Sequence, residues 1–302
     1  MNRTYDTEPK TVTVDGIEEV TEWVDHDGRS FYMHTFKATT QPPAATVTLV
    51  HGLGEHIDRY EELGRTFARA GIQVIGFDQR GFGKTGRRCG RLGDNEGIDT
   101  VADDIQFVTS RIALDGVPHF LFGHSMGGLN VLNYAARKNT DDHVRGVIAS
   151  APALRPGKPL LPPRIIEFAL HQVVRVAPSL QRNTGISVDM LTSNQAEIDK
   201  FNASVENIGH CTLGTLSDIM KRGADLIQSA PSFGTPVLLV HADGDQATDC
   251  DGTRCFYSRL PESLDKEFNE IKDFKYHELH FEQELGFDIL ASYVKWILDR
   301  AK

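Results

Sequence analysis

Pro118-His119-Phe120-Leu121-Phe122-Gly123-His124-Ser125-Met126-Gly127-Gly128 is the stretch that decides the fold. Pro118–Phe122 is a short apolar run, which predicts a buried strand entering Gly123, and Met126–Ala136 follows with helical spacing. Between them lies Gly123-His124-Ser125-Met126-Gly127, a Gly-x-Ser-x-Gly in the strand-turn-helix context of a nucleophile elbow. So tight a turn brings neighbouring backbone segments too close for a Cβ, hence the glycines, and pushes the serine into the open.

Working outward, the same alternation recurs on both sides. Ile17–Val24, a turn at Asp25–Arg29 and Ser30–Phe36 read as a β-hairpin. Thr46–Val50 and Ile72–Phe77 read as strands, and Tyr60–Ala70 and Val101–Leu114 as helices. After the elbow come a strand at Val144–Ser150, another at Pro236–Val240, a helical stretch at Cys255–Leu260, a short run near Phe274–Tyr276 and a closing amphipathic helix at Phe287–Leu298. Strands alternating with helices predict an α/β fold with a largely parallel sheet covered on both faces. Between Pro152 and Pro236 the alternation stops, and Arg164–Val176, Gln195–Val205 and Thr212–Ser229 predict an all-helical insertion. The expected organisation is a core over 1–153, a cap over 154–232 and the rest of the core over 233–302.

Composition excludes several classes. With 32 Lys and Arg against 42 Asp and Glu, the net charge of −10 lacks the basic stripe that a nucleic-acid binder needs. The first residues, Met1-Asn2-Arg3-Thr4-Tyr5-Asp6, do not resemble a signal peptide, and no apolar run approaches the ~20 residues of a membrane span. A cytoplasmic, non-secreted protein is expected, with the sequons at Asn2 and Asn202 read as chance matches. Cys89, Cys211, Cys250 and Cys255 form no Cys-x-x-Cys pair and read as free thiols. No His-Glu-x-x-His occurs, so no metal is expected. Gly81-Phe82-Gly83-Lys84-Thr85-Gly86 satisfies Gly-x-Gly-x-x-Gly, but the glycine-rich Arg87–Gly93 that follows does not read as a helix able to cradle a pyrophosphate. The P-loop reading of Gly83-Lys84-Thr85 fails because its leading glycine would have to stand where Asp78 is.

A serine hydroxyl needs a base to take its proton, so the elbow predicts Ser, then an acid, then His along the chain. Asp243, Asp245, Asp249 and Asp251 follow the Pro236–His241 strand, and only His277 and His280 come after them.

His51-Gly52-Leu53-Gly54-Glu55-His56 with Arg59-Tyr60, Asp78-Gln79-Arg80-Gly81-Phe82-Gly83, the elbow, and Tyr276-His277-Glu278-Leu279-His280 together resemble the monoacylglycerol lipase and lysophospholipase family of α/β-hydrolases, from about Val20 onward. The resemblance implies the α/β-hydrolase fold and hydrolysis of a small lipid ester with no cofactor, a monoacylglycerol first, a lysophospholipid or general carboxylic ester as the alternative, and a non-catalytic ligand-binding protein on the same fold as the remote one. It places the nucleophile at Ser125, the acid at Asp245, with Asp243 as the other choice, and the base at His277. An oxyanion hole then needs two backbone N–H groups, expected at Leu53 and Met126. Glu55, Arg59 and His280 match family positions at the alcohol-binding end; the alternative is a Glu55–Arg59 loop salt bridge and an incidental surface histidine. The insertion is expected to cap the site. The apolar face of its first helix (Ile165, Ile166, Phe168, Ala169, Leu170, Val173, Val174, Val176) either packs on the core or lines an acyl tunnel and makes weak peripheral contact with a membrane or lipid droplet.

Overall fold

The computed structural model describes residues 8–139, 143–160 and 174–302. Its strands are β1 (Lys10–Val14), β2 (Ile17–His26), β3 (Arg29–Phe36), β4 (Ala45–Val50), β5 (Ile72–Phe77), β6 (His119–His124), β7 (Gly146–Ser150), β8 (Gln181–Asn183), β9 (His210–Thr212), β10 (Val237–Ala242) and β11 (Lys266–Ile271). Nine of them form one sheet in the order β1-β2-β3-β5-β4-β6-β7-β10-β11. From β5 to β11 every neighbouring pair is parallel, while β1, β2 and β3 add antiparallel pairs at one end.

The inner parallel strands β4, β6, β7 and β10 are buried along their whole length because both faces are covered. Helices α3 (Ile98–Ile112), α4 (Met126–Lys138), α7 (Leu213–Ser229) and α8 (Cys250–Arg259) share one core cluster with Leu121, Val147, Ala149 and Leu239. Helices α1 (Glu61–Arg69) and α9 (Glu284–Arg300) share the other with Phe120, Phe122, Ile148, Leu238 and Val240. The alternation along β6, β7 and β10 thus feeds two separate cores.

In the segment expected to form the cap, the described residues hold α5 (Val188–Leu191), α6 (Gln195–Ala203) and α7. Side chains cap two of these helices, Asn194 accepting from Ala196 N–H and Thr212 from Thr215 N–H. The second half of α7 belongs to the sheet layer: Leu226 and Ile227 are core residues, and a Cβ at Gly223 would stand 2.4 Å from the Leu154 carbonyl oxygen.

Four sequence expectations change. The insertion is not all-helical, since β8 and β9 pair antiparallel within it; three-residue strands are too short to show a period. The last strand is Lys266–Ile271, not the run near Phe274–Tyr276. It is an edge strand, so its half-exposed Lys-Glu-Phe-Asn-Glu-Ile reads as polar. Residues Gly83–Cys89 do form a short helix, α2, at the place where none was read. The pair β1–β2 was also unforeseen. The apolar helix expected at Arg164–Val176, including Ile165, Ile166, Phe168, Ala169, Leu170 and Val173, lies outside the described residues up to 173; Val176, described, is exposed. Among the described residues no helix is long and apolar enough to cross a membrane.

Candidate active site

Strand β6 delivers Ser125 in a backbone conformation that side chains rarely adopt, φ 55° and ψ −117°, and α4 begins at the next residue. Such a conformation costs ~1–3 kcal/mol and persists only where the surroundings enforce it. Here they do. A Cβ on Gly123 would lie 2.2 Å from the Gly127 carbonyl oxygen, and one on Gly127 only 2.0 Å from that of Val50. Ser125 N–H donates to the Ser150 carbonyl at 2.9 Å, and the Ser125 carbonyl accepts from Leu129 and Ala153. The serine is buried but for 8% of its surface.

Asp245 lies in the turn after β10, and its Oδ2 is 2.6 Å from His277 Nδ1. The same carboxylate accepts from Thr248 Oγ1 at 3.1 Å and from the N–H groups of Ala247 at 2.8 Å and Thr248 at 3.1 Å, and it meets His241 Nε2 at 3.1 Å. Burial alone would raise this carboxyl; the nearby His277 and the hydrogen bonds from His241 and His277 more than offset it, holding Asp245 well below the usual carboxylate range. Burial pushes His277 down, but Asp245 outweighs it and the imidazole is raised above its ordinary value. His277 Nε2 is buried and has no hydrogen-bond partner among the described residues. Its ring packs 4.6 Å from that of His124, the residue before Ser125. No hydrogen bond joins it to the serine. Asp243, the other candidate acid, instead accepts from Phe274 N–H at 3.3 Å and fixes the loop after β11.

Glu55 and Arg59 form the salt bridge that was the alternative to a binding role, and it is buried and larger than a loop pair. Arg59 reaches Glu55 Oε2 at 2.5 Å and forks onto both oxygens of Glu278 at 2.7 and 2.8 Å. Glu55 Oε1 accepts from Tyr60 Oη at 2.7 Å and from Gly52 N–H at 2.5 Å. The guanidinium lies between the rings of Phe201, from α6, and Phe281, at 4.9 and 4.7 Å. His280 is not a surface histidine. It is buried, its ring lies 5.4 Å from Tyr60 and 4.9 Å from His124, and burial keeps it neutral by pushing it well below its ordinary value.

The loop after β4 is pinned from several sides. His51 Nδ1 bonds the Gly52 carbonyl at 2.8 Å, and its Nε2 accepts from Gln79 N–H at 3.0 Å. With Gly52 N–H given to Glu55, Leu53 is the next donor along the loop. Met126 opens α4, so its N–H has no carbonyl one turn back. Leu53 and Met126 meet in a small apolar cluster with Phe82 and Ile208.

Asp78 accepts from Lys84 N–H at 2.6 Å and Ile57 N–H at 2.8 Å. The N-terminus of α2 is therefore filled by the protein's own carboxylate, and the dinucleotide reading fails for this reason, not for want of a helix. Burial pushes the Cys211 and Cys250 thiols up to about 12, which leaves neither as a nucleophile near neutral pH.

A family model described as Serine aminopeptidase, S33 matches residues 41–284. The chain belongs to this family of α/β-hydrolases. This α/β-hydrolase is 32% identical over 265 residues to a putative monoglyceride lipase of Schizosaccharomyces pombe, covering 86% of this chain and 69% of that one. It is 34% identical over 260 residues to an uncharacterized abhydrolase domain-containing protein of Dictyostelium discoideum, covering 85% of this chain but only 27% of that one. Among solved structures, a soluble variant of monoglyceride lipase from Saccharomyces cerevisiae in complex with a substrate analog shares the fold at TM-score 0.82 and 23% identity, over 93% of this chain and 95% of that one. The monoacylglycerol lipase of Paleococcus ferrophilus gives 0.75 at 29% identity, over 89% and 99%.

Sequence reasoning missed the residues around the predicted ones. His241 was set aside because it precedes the acid, yet it holds the acid's carboxylate; Glu278 was quoted only as part of a motif. Phe201 has no local signal, because its significance arises only when the insertion folds back over Arg59.

Proposed function

We propose that the chain is a serine hydrolase that cleaves monoacylglycerols to fatty acid and glycerol through an acyl-enzyme. The observation that carries the reading is the Asp245–His277 pair at 2.6 Å, with Nε2 of His277 buried, unbonded and beside the residue that precedes the elbow serine. In this reading His277 Nε2 takes the proton of Ser125 as the hydroxyl attacks the ester carbonyl. The same nitrogen then protonates the departing alcohol. Asp245 fixes the tautomer and stabilises the imidazolium, with His241 and Thr248 holding the carboxylate in turn. The N–H groups of Leu53 and Met126 receive the oxyanion, water releases the acid, and no cofactor is called for.

The choice of monoacylglycerol is supported by the names of the relatives and by a polar end built from Glu55, Arg59 and His280, suited to a polyol leaving group. The Glu55–Arg59 pair serves there as a preset charge pair that Glu278 holds in place, and His280 contributes as a neutral ring. The insertion supplies the apolar side, and weak contact with a lipid surface is part of the proposal; Val176, Leu180 and Val205 are exposed there. A hydrolysis panel of monoacylglycerols, lysophospholipids, triacylglycerols and short p-nitrophenyl esters tests the substrate class. Monoacylglycerol is expected to give the highest kcat/KM, and preference for lysophospholipid would overturn the choice.

A further inference from the structure

The insertion does more than overhang the site, because one short segment of it grips the loop that carries Leu53. Ile208 N–H donates to the Gly54 carbonyl at 2.8 Å. The Ile208 carbonyl in turn sits where a side chain of residue 54 would begin: a Cβ on Gly54, at φ +78°, would stand 2.3 Å from it. Four residues earlier, Ser204 Oγ is 2.9 Å from His56 Nε2. Between these two attachments Glu206 pairs with Arg87 of α2 at 2.6 Å. The Ile208 side chain completes the grip, since it is buried in one cluster with Phe82 and Met126, against which Leu53 packs. One residue of the insertion therefore hydrogen-bonds the residue that follows Leu53 and shares an apolar cluster with the Met126 side chain.

We propose that Ser204–Ile208 is a positioning device for the oxyanion loop, with Ile208 as its principal positioning residue. The inference rests on the oxyanion role of Leu53 and Met126 proposed above. Two N–H groups converge on a developing charge only if their separation and aim are fixed. The Leu53 loop follows β4 and the α4 N-terminus follows β6; β4–β6 pairing, the close approach of Gly127 to the Val50 carbonyl and the Gln79 bridge from the His51 carbonyl to Asn130 relate their bases, while Leu53 lies further along the loop. Ile208 adds a third body, bonded to the loop at Gly54 and clustered with Met126 at the start of α4. Anchored in this way, the insertion couples its own seating to the assembly of the transition-state cradle, even for a substrate too short to touch it.

The test compares Ile208→Ala and the conservative Ile208→Val with the unaltered full chain, rates being expressed per active site titrated with a fluorophosphonate, so that misfolded protein is not counted. Substrates are p-nitrophenyl acetate and p-nitrophenyl octanoate, and a trifluoromethyl ketone serves as the probe whose bound form carries the oxyanion. Loosening one donor without removing it should cost less than the ~10²–10³ of outright loss, so kcat should fall about tenfold on both esters with KM unchanged within about twofold. Affinity for the ketone should fall by the same factor as kcat/KM, and Ile208→Val should recover most of both. Should Ile208→Ala not fold, Ser204→Ala with Glu206→Gln leaves the apolar cluster intact and should move kcat and ketone affinity together by about threefold, a smaller fraction of the same oxyanion contribution. A loss confined to the octanoate or to KM, an unchanged ketone affinity, or no loss in either variant overturns the proposal. Activity retained by Ser125→Ala would instead overturn the hydrolase reading itself; an inactive Ser125→Ala beside fully active Ile208 variants overturns the positioning role alone.

Discussion

His277 and Glu278 are neighbours in sequence, and both point into buried charged clusters, but the clusters differ in what they leave unpaired. Around Glu278 every carboxylate oxygen is engaged: both of its own by Arg59, and those of Glu55 by Arg59, Tyr60 and Gly52. Around His277 the acid is as fully satisfied, with five polar partners on Asp245, yet one ring nitrogen, His277 Nε2, has none among the described residues. A closed cluster of this kind holds loops together, because breaking one member strands the others in low dielectric. An open one retains a polar atom for a reactant. The difference separates a cluster that serves as a preset wall from one that keeps an atom for proton transfer, where residue type alone cannot, since both clusters pair carboxylates with nitrogen groups.

Substitutions can break the comparison from either side. On the open side, Ser125→Ala should lower turnover by roughly six orders of magnitude, as loss of the nucleophile does in another serine hydrolase, with little change in thermal midpoint. Asp245→Asn should cost about four orders by favouring the wrong imidazole tautomer. On the closed side the balance should reverse. Arg59→Ala leaves two buried carboxylates without their cation and should destabilise the fold by about 3–5 kcal/mol, read as a lower urea midpoint. Arg59→Lys should recover only part, because a point charge cannot fork onto Glu278. If Arg59→Ala kept full stability and lost only activity, the distinction between the clusters would fail.

The smallest effect concerns pH. His277 acts as a base only when neutral, so activity should rise with pH through its folded pKa. Asp245 raises that pKa, which puts the midpoint of the acid limb of kcat/KM above the ordinary histidine value of 6.5. In Asp245→Asn the residual activity should show the limb at lower pH. A common midpoint in both proteins would mean that some other group sets the limb.

Much of the catalytic end was legible because its constraints are local. Gly123, Gly127 and the apolar run before them dictate the elbow, since close backbone approach admits no other residue. The order of acid and base narrowed the partners to four aspartates and two histidines, the family resemblance chose Asp245 and His277 among them, and the fold brings that pair to 2.6 Å. What could not be read was set by packing across the chain. Glu55 and Arg59 carry the same letters whether they face a ligand or each other, and His280 reads as polar although rings surround it. The strand Lys266–Ile271 hid because an edge exposes alternate polar residues. The grip of residues 188–212 on the site depends on main-chain bonds, such as His277 N–H to the Met190 carbonyl at 3.1 Å and Glu278 N–H to that of Leu191 at 2.7 Å, which no side chain announces.

The central claim is that an acyl group passes through Ser125 with His277 as its base. Reaction of the full chain with a fluorophosphonate, followed by intact-mass measurement and peptide mapping, tests it most directly. One adduct per chain on the peptide containing Ser125, formed rapidly in the unaltered protein and slowed by orders of magnitude in His277→Ala, is the predicted result. An adduct on another residue, or labelling of Ser125 at the same rate without His277, would contradict it.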